Sequence, residues 1–291
     1  MVSAAPNPAY PSRSARAAAS STCNGEAATP AAKSTSIGKV YHVEILQDGP
    51  HRRVVRIGDT VRRPLYPWSA TIHDLLLFLE RAGFPYSPRF LGLDEDGREV
   101  LTYLPGDSGP EGWSRVVTDE GLVAMARLLR EYHDVVAAYR PTSTAWAAAV
   151  SSGGPGEIVC HGDFGPWNLV WRGNQPVGIL DWDYAWPQPP RHDVAYALEY
   201  VAPFRSDEDC LRWLRYSSPP DRRRRMERFT RAYGREEVTA AAVVAQQETV
   251  LARVRRLAAD GCQPQADWLA AGALDETVEH IRWSREFFGV G

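Results

Sequence analysis

The sequence predicts an α+β protein with two lobes, a small β-rich N-terminal lobe and a larger α-helical C-terminal lobe. Short strand patterns with alternating apolar residues dominate the chain from Val40 to residue 104. Apolar residues at helical spacing dominate after residue 105, and the connector Leu104-Pro105-Gly106 separates the two patterns. We therefore expect a β-rich lobe over residues 38–104 and an α-rich lobe over residues 105–291.

The first 37 residues have a different composition from the rest of the chain. They consist mainly of Ala, Ser, Pro and Thr and contain almost no large aliphatic side chains. Such a segment cannot bury enough apolar surface to offset the entropy lost on ordering, so we expect a disordered tail over residues 1–37. The segment also lacks the continuous apolar run of about 7 to 15 residues that a secretory signal requires.

Local patterns predict the elements of the N-terminal lobe. Alternating apolar residues and the Gly58-Asp59 turn indicate antiparallel strands, and leucines at helical spacing indicate one helix between them. The predicted elements are strands over Val43–Leu46, Val54–Ile57 and Thr60–Arg63, a helix with Ser69 as N-cap that ends at Gly83, and a β-hairpin over Arg89–Leu93 and Glu99–Tyr103.

The C-terminal lobe is predicted to be helical apart from a few short strands. The predicted elements are a helix over Leu122–Tyr139, a strand over Glu157–Cys160, a hairpin that pairs Leu169–Trp171 with Val177–Leu180, and four or five helices after about residue 192, of which one begins at Asp221 and two cover about 240–259 and 274–288. Met226, Phe229 and Tyr233 give the segment after Asp221 an apolar stripe, so Arg222–Arg225 is predicted to be its solvated face.

Composition excludes several classes of protein and partner. The net charge is -3, with 33 basic and 36 acidic residues, so no global positive field attracts nucleic acid or anionic lipid. No apolar run approaches the roughly 20 residues that span a bilayer. The four cysteines are far apart and form no Cys-x-x-Cys pair, which favours a reducing compartment over a disulfide framework or a zinc site. We expect a cytoplasmic protein without a nucleic-acid or membrane partner.

The densest chemical signal is the loop from His161 to Asn168, with the sequence HGDFGPWN, and the later Asp181-Trp182-Asp183. Asp163 follows a predicted strand, Asn168 stands five residues later, and Asp181 ends the hairpin that comes next. Phosphoryl transfer needs one carboxylate to orient the attacking hydroxyl and oxygen ligands to hold Mg²⁺. A His-Gly-Asp-x4-Asn match arises by chance in only about one of two thousand shuffled chains of this composition.

These residues resemble the aminoglycoside phosphotransferase family, the small-molecule branch of the protein-kinase-like fold. The resemblance covers roughly residues 40–285 and is sharpest over 158–199. It implies a transfer of the γ-phosphate of ATP or GTP to a small-molecule hydroxyl, with Asp163 as the catalytic base and Asn168 and Asp181 as Mg²⁺ ligands. It also implies that Asp193 braces the loop, and His161 is expected to do the same rather than act as a base.

The resemblance further implies a nucleotide site in the N-terminal lobe. The strand and linker from Val100 to Gly106 are similar to the segment that holds adenine, which suggests Leu101, Tyr103 and Leu104 as contacts. Val61-Arg62-Arg63-Pro64 is similar to the strand whose basic residue contacts phosphates; either arginine fits, and we favour Arg62.

Three departures from the family pattern leave alternatives open. The phosphate strand has no lysine, and the partner helix has His73 and Asp74 where a glutamate is usual. The predicted nucleotide loop, Gln47–Arg53, contains a single glycine, although a phosphate cradle normally uses several. A catalytically silent kinase-like protein that binds nucleotide or a partner is therefore the main alternative. A protein kinase is less favoured because no Ala-Pro-Glu element follows Asp181.

The acceptor is not identified by the sequence. A polycationic aminoglycoside would favour an acidic cleft, but acidic and basic residues are nearly balanced after Trp182. Asp207-Glu208-Asp209 is a local acidic cluster that also fits a helix cap. An amino alcohol, a sugar or another metabolite with a hydroxyl group fits equally well, and Asp183 is either a second metal or substrate contact or an exposed turn residue.

Overall fold

The computed structural model describes residues 43–49, 52–147, 154–234 and 238–291, so the predicted tail over 1–37 lies outside the described residues. A five-stranded sheet forms the N-terminal part and helices form most of the rest. The strands are β1 Val43–Gly49, β2 Arg52–Ile57, β3 Thr60–Arg63, β4 Phe90–Leu93, β5 Glu99–Thr102, β6 Ile158–Cys160, β7 Leu169–Arg172, β8 Gln175–Ile179 and β9 Trp186–Gln188. The helices are α1 Ser69–Arg81, α2 Gly112–Val117, α3 Asp119–Val136, α4 Arg191–Val201, α5 Asp207–Trp213, α6 Arg222–Tyr233, α7 Ala240–Ala259, α8 Gln265–Ala270 and α9 Ala273–Phe288.

The N-terminal sheet is antiparallel throughout, with the strand order β1-β2-β3-β5-β4. The central strand β3 pairs with β5 in a register that sets Arg62 opposite Val100 and Arg63 opposite Glu99. Residues directly opposite each other in such a pair lie on the same face of the sheet. This register therefore places Arg63 and Glu99 side by side, and Arg62 on the other face.

Helix α1 packs its leucine face into the core. Its residues Ile72, Leu75, Leu76 and Leu79 are almost completely buried, as their helical spacing predicts. The prediction of Ser69 as N-cap is wrong, because Ser69 is the first helical residue and its hydroxyl accepts a hydrogen bond from the Tyr66 N–H at 2.9 Å. Serine is a common N-cap residue, but the sequence does not show which backbone N–H its hydroxyl will accept.

Helix α3 forms the centre of the C-terminal part. Thr118 caps its first turn by accepting the Gly121 N–H at 3.1 Å, and its apolar side includes Leu122, Met125 and Leu129. The hydroxyl of Tyr132 on the same helix donates to the Val159 carbonyl at 2.6 Å. This contact fixes strand β6 against the helix and thereby positions the loop that follows β6.

The connector between the two parts is pinned to hairpin β7-β8. Gly106 has a φ of +153°, and a Cβ at this position would lie 2.7 Å from the Trp171 carbonyl oxygen. Asp107 and Trp171 exchange two backbone hydrogen bonds of 3.0 and 2.7 Å immediately after it. A glycine is needed here because the connector passes too close to β7 for any side chain.

Two further features of the described residues concern the cysteines and the composition of the helices. Cys160, Cys210 and Cys262 are free thiols, and the first two are buried. No helix in the described ranges combines the length and the apolar character that crossing a bilayer requires.

The helices after residue 190 depart from the prediction in number and in burial. Six helices, α4 to α9, follow residue 190 in the described part of the chain instead of four or five. The prediction that Arg222–Arg225 is a solvated face is wrong for two of its four residues, because Arg222 and Arg225 are buried. Arg225 donates to the backbone carbonyls of Val116, Val117 and Val201, which lie at the C-terminal ends of α2 and α4.

Replacing Arg225 with Ala is expected to lower the free energy of unfolding by about 2–4 kcal/mol, because three carbonyl groups lose their donor. Arg224→Ala is the matched control, since this neighbour is exposed and pairs only with Asp119 at the surface. The control is expected to change stability by less than about 1 kcal/mol. Urea denaturation of the parent and the two variants measures the free energies of unfolding. Equal losses in both variants would show that the buried hydrogen bonds of Arg225 contribute no more to stability than a surface ion pair.

Glu199 is a buried carboxyl on α4 with little compensation. Its described hydrogen bond comes from the Gln247 amide at 3.4 Å. Burial raises the pKa of Glu199 to about 7, although the charge of Arg205 and the Gln247 hydrogen bond act in the opposite direction. The folded protein therefore keeps a proton on Glu199 at pH values where the unfolded chain has lost it.

Glu199→Gln is expected to gain stability relative to the parent protein as the pH rises from about 4.5 to about 7. In this window the unfolded parent releases a proton that the folded parent retains, so the parent loses stability as the pH rises. The pKa shift of Glu199 corresponds to at most about 3 kcal/mol of unfolding free energy. Denaturation midpoints at pH 4.5, 6 and 8 measure this difference. A stability difference independent of pH would contradict the proton on Glu199.

Candidate functional site

The loop between β6 and β7 holds Asp163 and Asn168 in direct contact. Asp163 has only 4% of its surface exposed. The amide nitrogen of Asn168 donates to both the backbone carbonyl and one carboxylate oxygen of Asp163, each at 2.9 Å. Because the amide nitrogen is used in this way, the amide oxygen of Asn168 is the atom left for other ligands.

Hairpin β7-β8 returns the chain to this loop, as the sequence predicts. The Leu180 N–H donates to the Asn168 carbonyl at 2.7 Å, so Asp181 follows directly beside the loop. Asp181 itself adopts a left-handed backbone with φ 58° and ψ 67°. This conformation is unfavourable for a residue with a side chain and is frequent at functional sites.

The carboxylate of Asp193 braces the loop from below. It accepts the backbone N–H groups of His161 at 2.6 Å and Gly162 at 2.8 Å, and it contacts the ring of His133 at 3.1 Å. Gly162 has φ +77°, and a Cβ there would lie 2.1 Å from the Tyr184 carbonyl oxygen. The predicted bracing geometry is therefore present: Asp193 fixes the turn that presents Asp163.

His161 is buried and serves the same turn. Its Nε2 lies 2.9 Å from the Leu180 carbonyl, which ties the start of the loop to the end of β8. Burial lowers the pKa of His161, so the ring is neutral. This arrangement agrees with the expectation that His161 is a structural residue.

A second hydrogen bond to Asp163 comes from α4. The hydroxyl of Tyr196 donates to the other carboxylate oxygen at 2.5 Å, so both oxygens of Asp163 are oriented. Burial raises the pKa of Asp163 to about 7, while the hydrogen bonds from Tyr196 and Asn168 act in the opposite direction. The carboxyl group is therefore rigidly placed and strongly desolvated.

The structure corrects the choice of Arg62 as the arginine nearest the site. Arg62 contacts Asp94 at 3.6 Å on the outer face of the sheet. Arg63 points the other way and forms two parallel hydrogen bonds of 3.0 Å with Asp183. Successive side chains alternate between the faces of a strand, so only one of the two arginines can face the aspartates.

Arg52, which sequence analysis did not select, also reaches this cluster. Its guanidinium donates to both carboxylate oxygens of Asp181 at 3.2 Å and lies 3.5 Å from Asp183. Arg63 approaches Asp181 at 3.7 Å. Two arginines from the N-terminal sheet thus neutralise two aspartates from the C-terminal part, and this contact joins the two parts across the site.

Glu99 on β5 is the buried carboxylate that pairs with the strand arginine Arg63. It is completely buried and forms an ion pair with Arg63 through one carboxylate oxygen. Its other carboxylate oxygen lies 2.8 Å from His73 Nε2. His73 is therefore the α1 residue that faces the cluster, whereas the neighbouring Asp74 accepts hydrogen bonds from Tyr139 and Thr142. The glutamate missing from the helix is supplied by β5.

The electrostatics of Asp181 and Asp183 differ. Burial would raise the pKa of Asp181, but the charges of Arg52 and Arg63 outweigh it and lower the pKa. Burial raises the pKa of Asp183, although Arg63 opposes the rise. Asp181 is thus the carboxylate held in the charged form, and Asp183 is a buried partner of Arg63, not an exposed turn residue.

The residues predicted to contact adenine lie at the junction of the sheet and the connector. Leu101 is buried in the shared core, and the guanidinium of Arg56 stacks 3.7 Å from the centre of the Tyr103 ring. The Leu104 side chain lies against β8, 2.8 Å from where a Cβ of Gly178 would be. Their role toward a nucleotide base stays a prediction.

Sequence analysis missed Tyr196, Arg52 and Glu99. Tyr196 follows Asp193 by three residues on one helix, so helical spacing could have placed both side chains toward the loop. No comparable local signal exists for Arg52 or Glu99, because their partners lie 129 and 36 residues away along the chain.

Asp193→Asn is expected to destabilise the loop, because one of two acceptor oxygens becomes an N–H donor facing a backbone N–H. The loss expected is about 1–3 kcal/mol. Asp134→Asn is the control, since Asp134 forms an exposed i,i+4 pair with Arg130. Hydrogen exchange of the His161 and Gly162 amides should accelerate in Asp193→Asn alone; unchanged protection there would contradict the bracing role.

Comparison with known proteins agrees with this geometry. The model of the phosphotransferase enzyme family matches residues 142–241, which include the loop, the hairpin and Asp193. The chain is 34% identical over 169 residues to the trifolitoxin immunity protein of Rhizobium leguminosarum bv. trifolii. This match covers 56% of the chain and 63% of that relative's length.

Solved structures with a similar fold extend over most of the chain. The gentamicin complex of APH(2'')-IIa has a TM-score of 0.51 at 14% identity and covers 83% of this chain and 91% of its own. The amicoumacin kinase hAmiN has a TM-score of 0.54 at 13% identity and covers 84% and 87%. The ethanolamine kinase of Plasmodium vivax has a TM-score of 0.51 at 11% identity and covers 84% and 82%. The predicted resemblance to the aminoglycoside phosphotransferases is confirmed, and the chain has the bilobal α+β protein-kinase-like fold.

Proposed function

We propose that this protein transfers the γ-phosphate of ATP or GTP to a hydroxyl group of a small molecule. The observation that carries the proposal is the grouping of Asp163, Asn168 and Asp181 on one rigid loop and hairpin. One buried carboxylate beside two oxygen ligands is the set that phosphoryl transfer requires. The family match over this segment supports the same reaction type.

The donor set fits Mg²⁺. The amide oxygen of Asn168 and the charged carboxylate of Asp181 are hard oxygen ligands on neighbouring chain segments. When bound, the ion would neutralise the negative charge of the nucleotide phosphates. We assign the ligand role to Asn168 and Asp181 because the resemblance matches these two positions. Arg52 contacts Asp181 at 3.2 Å and would have to release that carboxylate to the ion, while Asp183 stays bound by the two parallel hydrogen bonds from Arg63.

Asp163 orients the acceptor and takes its proton. Tyr196 and Asn168 fix both carboxylate oxygens, so the attacking hydroxyl meets an acceptor atom in a defined position. The acceptor oxygen forms a bond to the γ-phosphorus as the bond to the leaving nucleoside diphosphate breaks, and the hydroxyl proton passes to Asp163. The product is the phosphate ester and ADP or GDP.

Arg63 and Arg52 are the groups of the N-terminal lobe that face the phosphates. Both guanidiniums lie at the aspartate pair, where a nucleotide triphosphate would bring further negative charge. The base would lie against Leu101, Tyr103 and Leu104. Part of the nucleotide loop, residues 50 and 51, lies outside the described residues, while Gly49 ends β1.

The first test is a thermal-shift titration with MgATP and MgGTP. Binding at 100 times Kd should stabilise the parent protein by about 2.7 kcal/mol and raise its Tm. Asp181→Asn should lose the Mg²⁺-dependent part of this rise, whereas the exposed-site control Asp134→Asn should keep it. No response to either nucleotide in the parent protein would overturn the proposal.

The second test separates the enzyme from the catalytically silent alternative. Asp163→Asn should keep nucleotide binding but lose about 10²- to 10⁴-fold in turnover on any accepted hydroxyl compound. Full turnover of this variant would refute the role of Asp163. The contact of Arg52 with Asp181 favours the silent alternative, because it occupies the carboxylate; nucleotide binding without transfer to any acceptor would establish it.

A further inference from the structure

Arg253, on the inner face of α7, is a buried cation without an ionic partner among the residues that the structure describes. It has 9% of its surface exposed, and its Nε has no hydrogen-bond partner in the same part of the chain. Within the described ranges, no carboxylate lies at ion-pair distance from its guanidinium. A buried charge is costly unless another group compensates it, so this arrangement suggests a missing anion.

Three other buried arginines are compensated by their partners. Arg63 has Glu99 and Asp183, Arg222 has Asp207 and three backbone carbonyls, and Arg225 has three carbonyls. These residues stabilise the fold through their partners. Arg253 and Arg205 differ from these three, because the described contact of each guanidinium is an aromatic ring: that of Arg253 lies 5.5 Å from the centre of the Tyr184 ring, and that of Arg205 lies 5.5 Å from the centre of the Tyr200 ring. The charge of Arg205 opposes the burial that raises the pKa of Glu199, whereas the charge of Arg253 opposes the burial that raises the pKa of Asp163, in the proposed reaction centre.

Arg253 stands close to the proposed reaction centre. The backbone of Tyr184 packs on Gly162, which directly precedes Asp163. Burial raises the pKa of Asp163, and the positive charge of Arg253 is one of the groups that oppose the rise. The nearby ring of His192 does not compete for an anion, because burial lowers its pKa to about 4 and keeps it neutral.

Trp186 supplies a further buried donor, beside His192. Its indole Nε1 has no hydrogen-bond partner among the described residues, and its ring contacts that of His192 edge to face at 6.0 Å. Burial and the charge of Arg253 both lower the pKa of His192, so His192 lies near both donors. Gln265 donates to the Tyr184 hydroxyl at 2.8 Å and holds that ring beneath Arg253. The unbonded atoms of Arg253 and Trp186 are both N–H donors, which suits a ligand made of oxygen acceptors.

We propose that Arg253 binds an anionic group of the acceptor, a carboxylate or a phosphate, while the hydroxyl of the same molecule reaches Asp163. This inference rests on the proposed function, because it places the acceptor at Asp163. The fork of a guanidinium matches the paired oxygens of both anions. The anionic group itself undergoes no reaction and serves to position the hydroxyl.

The acidic residues of the C-terminal part do not favour a polycationic acceptor instead. In the cluster Asp207-Glu208-Asp209, Asp207 pairs with Arg222, and Asp209 accepts from Ser206 and contacts His280. The cluster forms the first turn of α5, which Ser206 caps, and Asp207 and Asp209 are committed to these partners. A polycation at Asp163 would face the uncompensated charge of Arg253, whereas an anion would neutralise it.

The test is a set of thermal-shift titrations at constant ionic strength, without nucleotide. The anionic probes are gluconate, a hydroxycarboxylate, and glycerol 3-phosphate, a phosphate ester with free hydroxyls. Glycerol, ethanolamine and kanamycin are the neutral and cationic probes. We expect the parent protein to bind at least one anionic probe at millimolar concentration. The probe that binds shows whether the site prefers a carboxylate or a phosphate.

Arg253→Gln should weaken that binding by about tenfold or more, the loss expected for one charge-assisted hydrogen bond. Arg255→Gln is the matched control, because it removes the same charge from the exposed face of the same helix. Without ligand, Arg253→Gln should have an unchanged or higher Tm, since an uncompensated buried charge is removed. A purely structural arginine would lower it. If Arg253→Gln does not fold, Arg253→Lys keeps the charge and should bind the anion with intermediate affinity.

Three results would overturn the inference: no response to either anion, equal anion binding in Arg253→Gln and the parent, or preferential binding of ethanolamine or kanamycin. MgATP binding is measured in parallel on the same variants. Loss of the MgATP response in every protein would refute the proposed phosphotransferase while the anion result stands by itself. A normal MgATP response without anion binding would refute only the role of Arg253.

Discussion

The contact between Arg63 and the carboxylates of Glu99 and Asp183 is the interaction on which the geometry of the site depends. A guanidinium buried at the junction of two lobes is costly unless closely placed acceptors compensate its charge, and anionic acceptors do so most effectively. Glu99 comes from the neighbouring strand and Asp183 from the hairpin end of the other lobe. This requirement fixes the sheet relative to the segment that carries Asp181. The two arginines and the two aspartates therefore meet even though they belong to different parts of the chain.

The same requirement explains why the kinase-like pattern persists with altered residues. In this chain the glutamate that accompanies the strand cation lies on β5, and His73 of α1 reaches it from the other side. The charge balance is maintained while the positions of the charges change. An arginine replaces a lysine more readily here because its planar fork can serve Glu99 and Asp183 together.

On the opposite side of Asp163 the charges are arranged differently. The loop is held by neutral or fully paired groups: Asp193 accepts two backbone N–H groups, and Tyr196 and Asn168 orient the carboxylate. Arg253 is the exception, a buried cation with no carboxylate at ion-pair distance among the described residues. The lobe that holds the nucleotide in our proposal is internally neutralised, whereas the acceptor side keeps a positive charge for the ligand. This asymmetry suits two substrates that arrive separately.

The sequence by itself determined most of the strands and helices and their order, the hairpin that returns Asp181 to the loop, and the grouping of Asp163 with Asn168. These features depend on residues close together in the chain, where periodicity and spacing act directly. Only the tertiary structure decided between Arg62 and Arg63, brought Arg52 to Asp181, and buried Arg222 and Arg225. The partners of these arginines are distant in sequence or are backbone carbonyls, so no local pattern encodes them. From the sequence alone a long cationic side chain is predicted to be solvated. Whether it is buried depends on which acceptors the fold brings within hydrogen-bond distance.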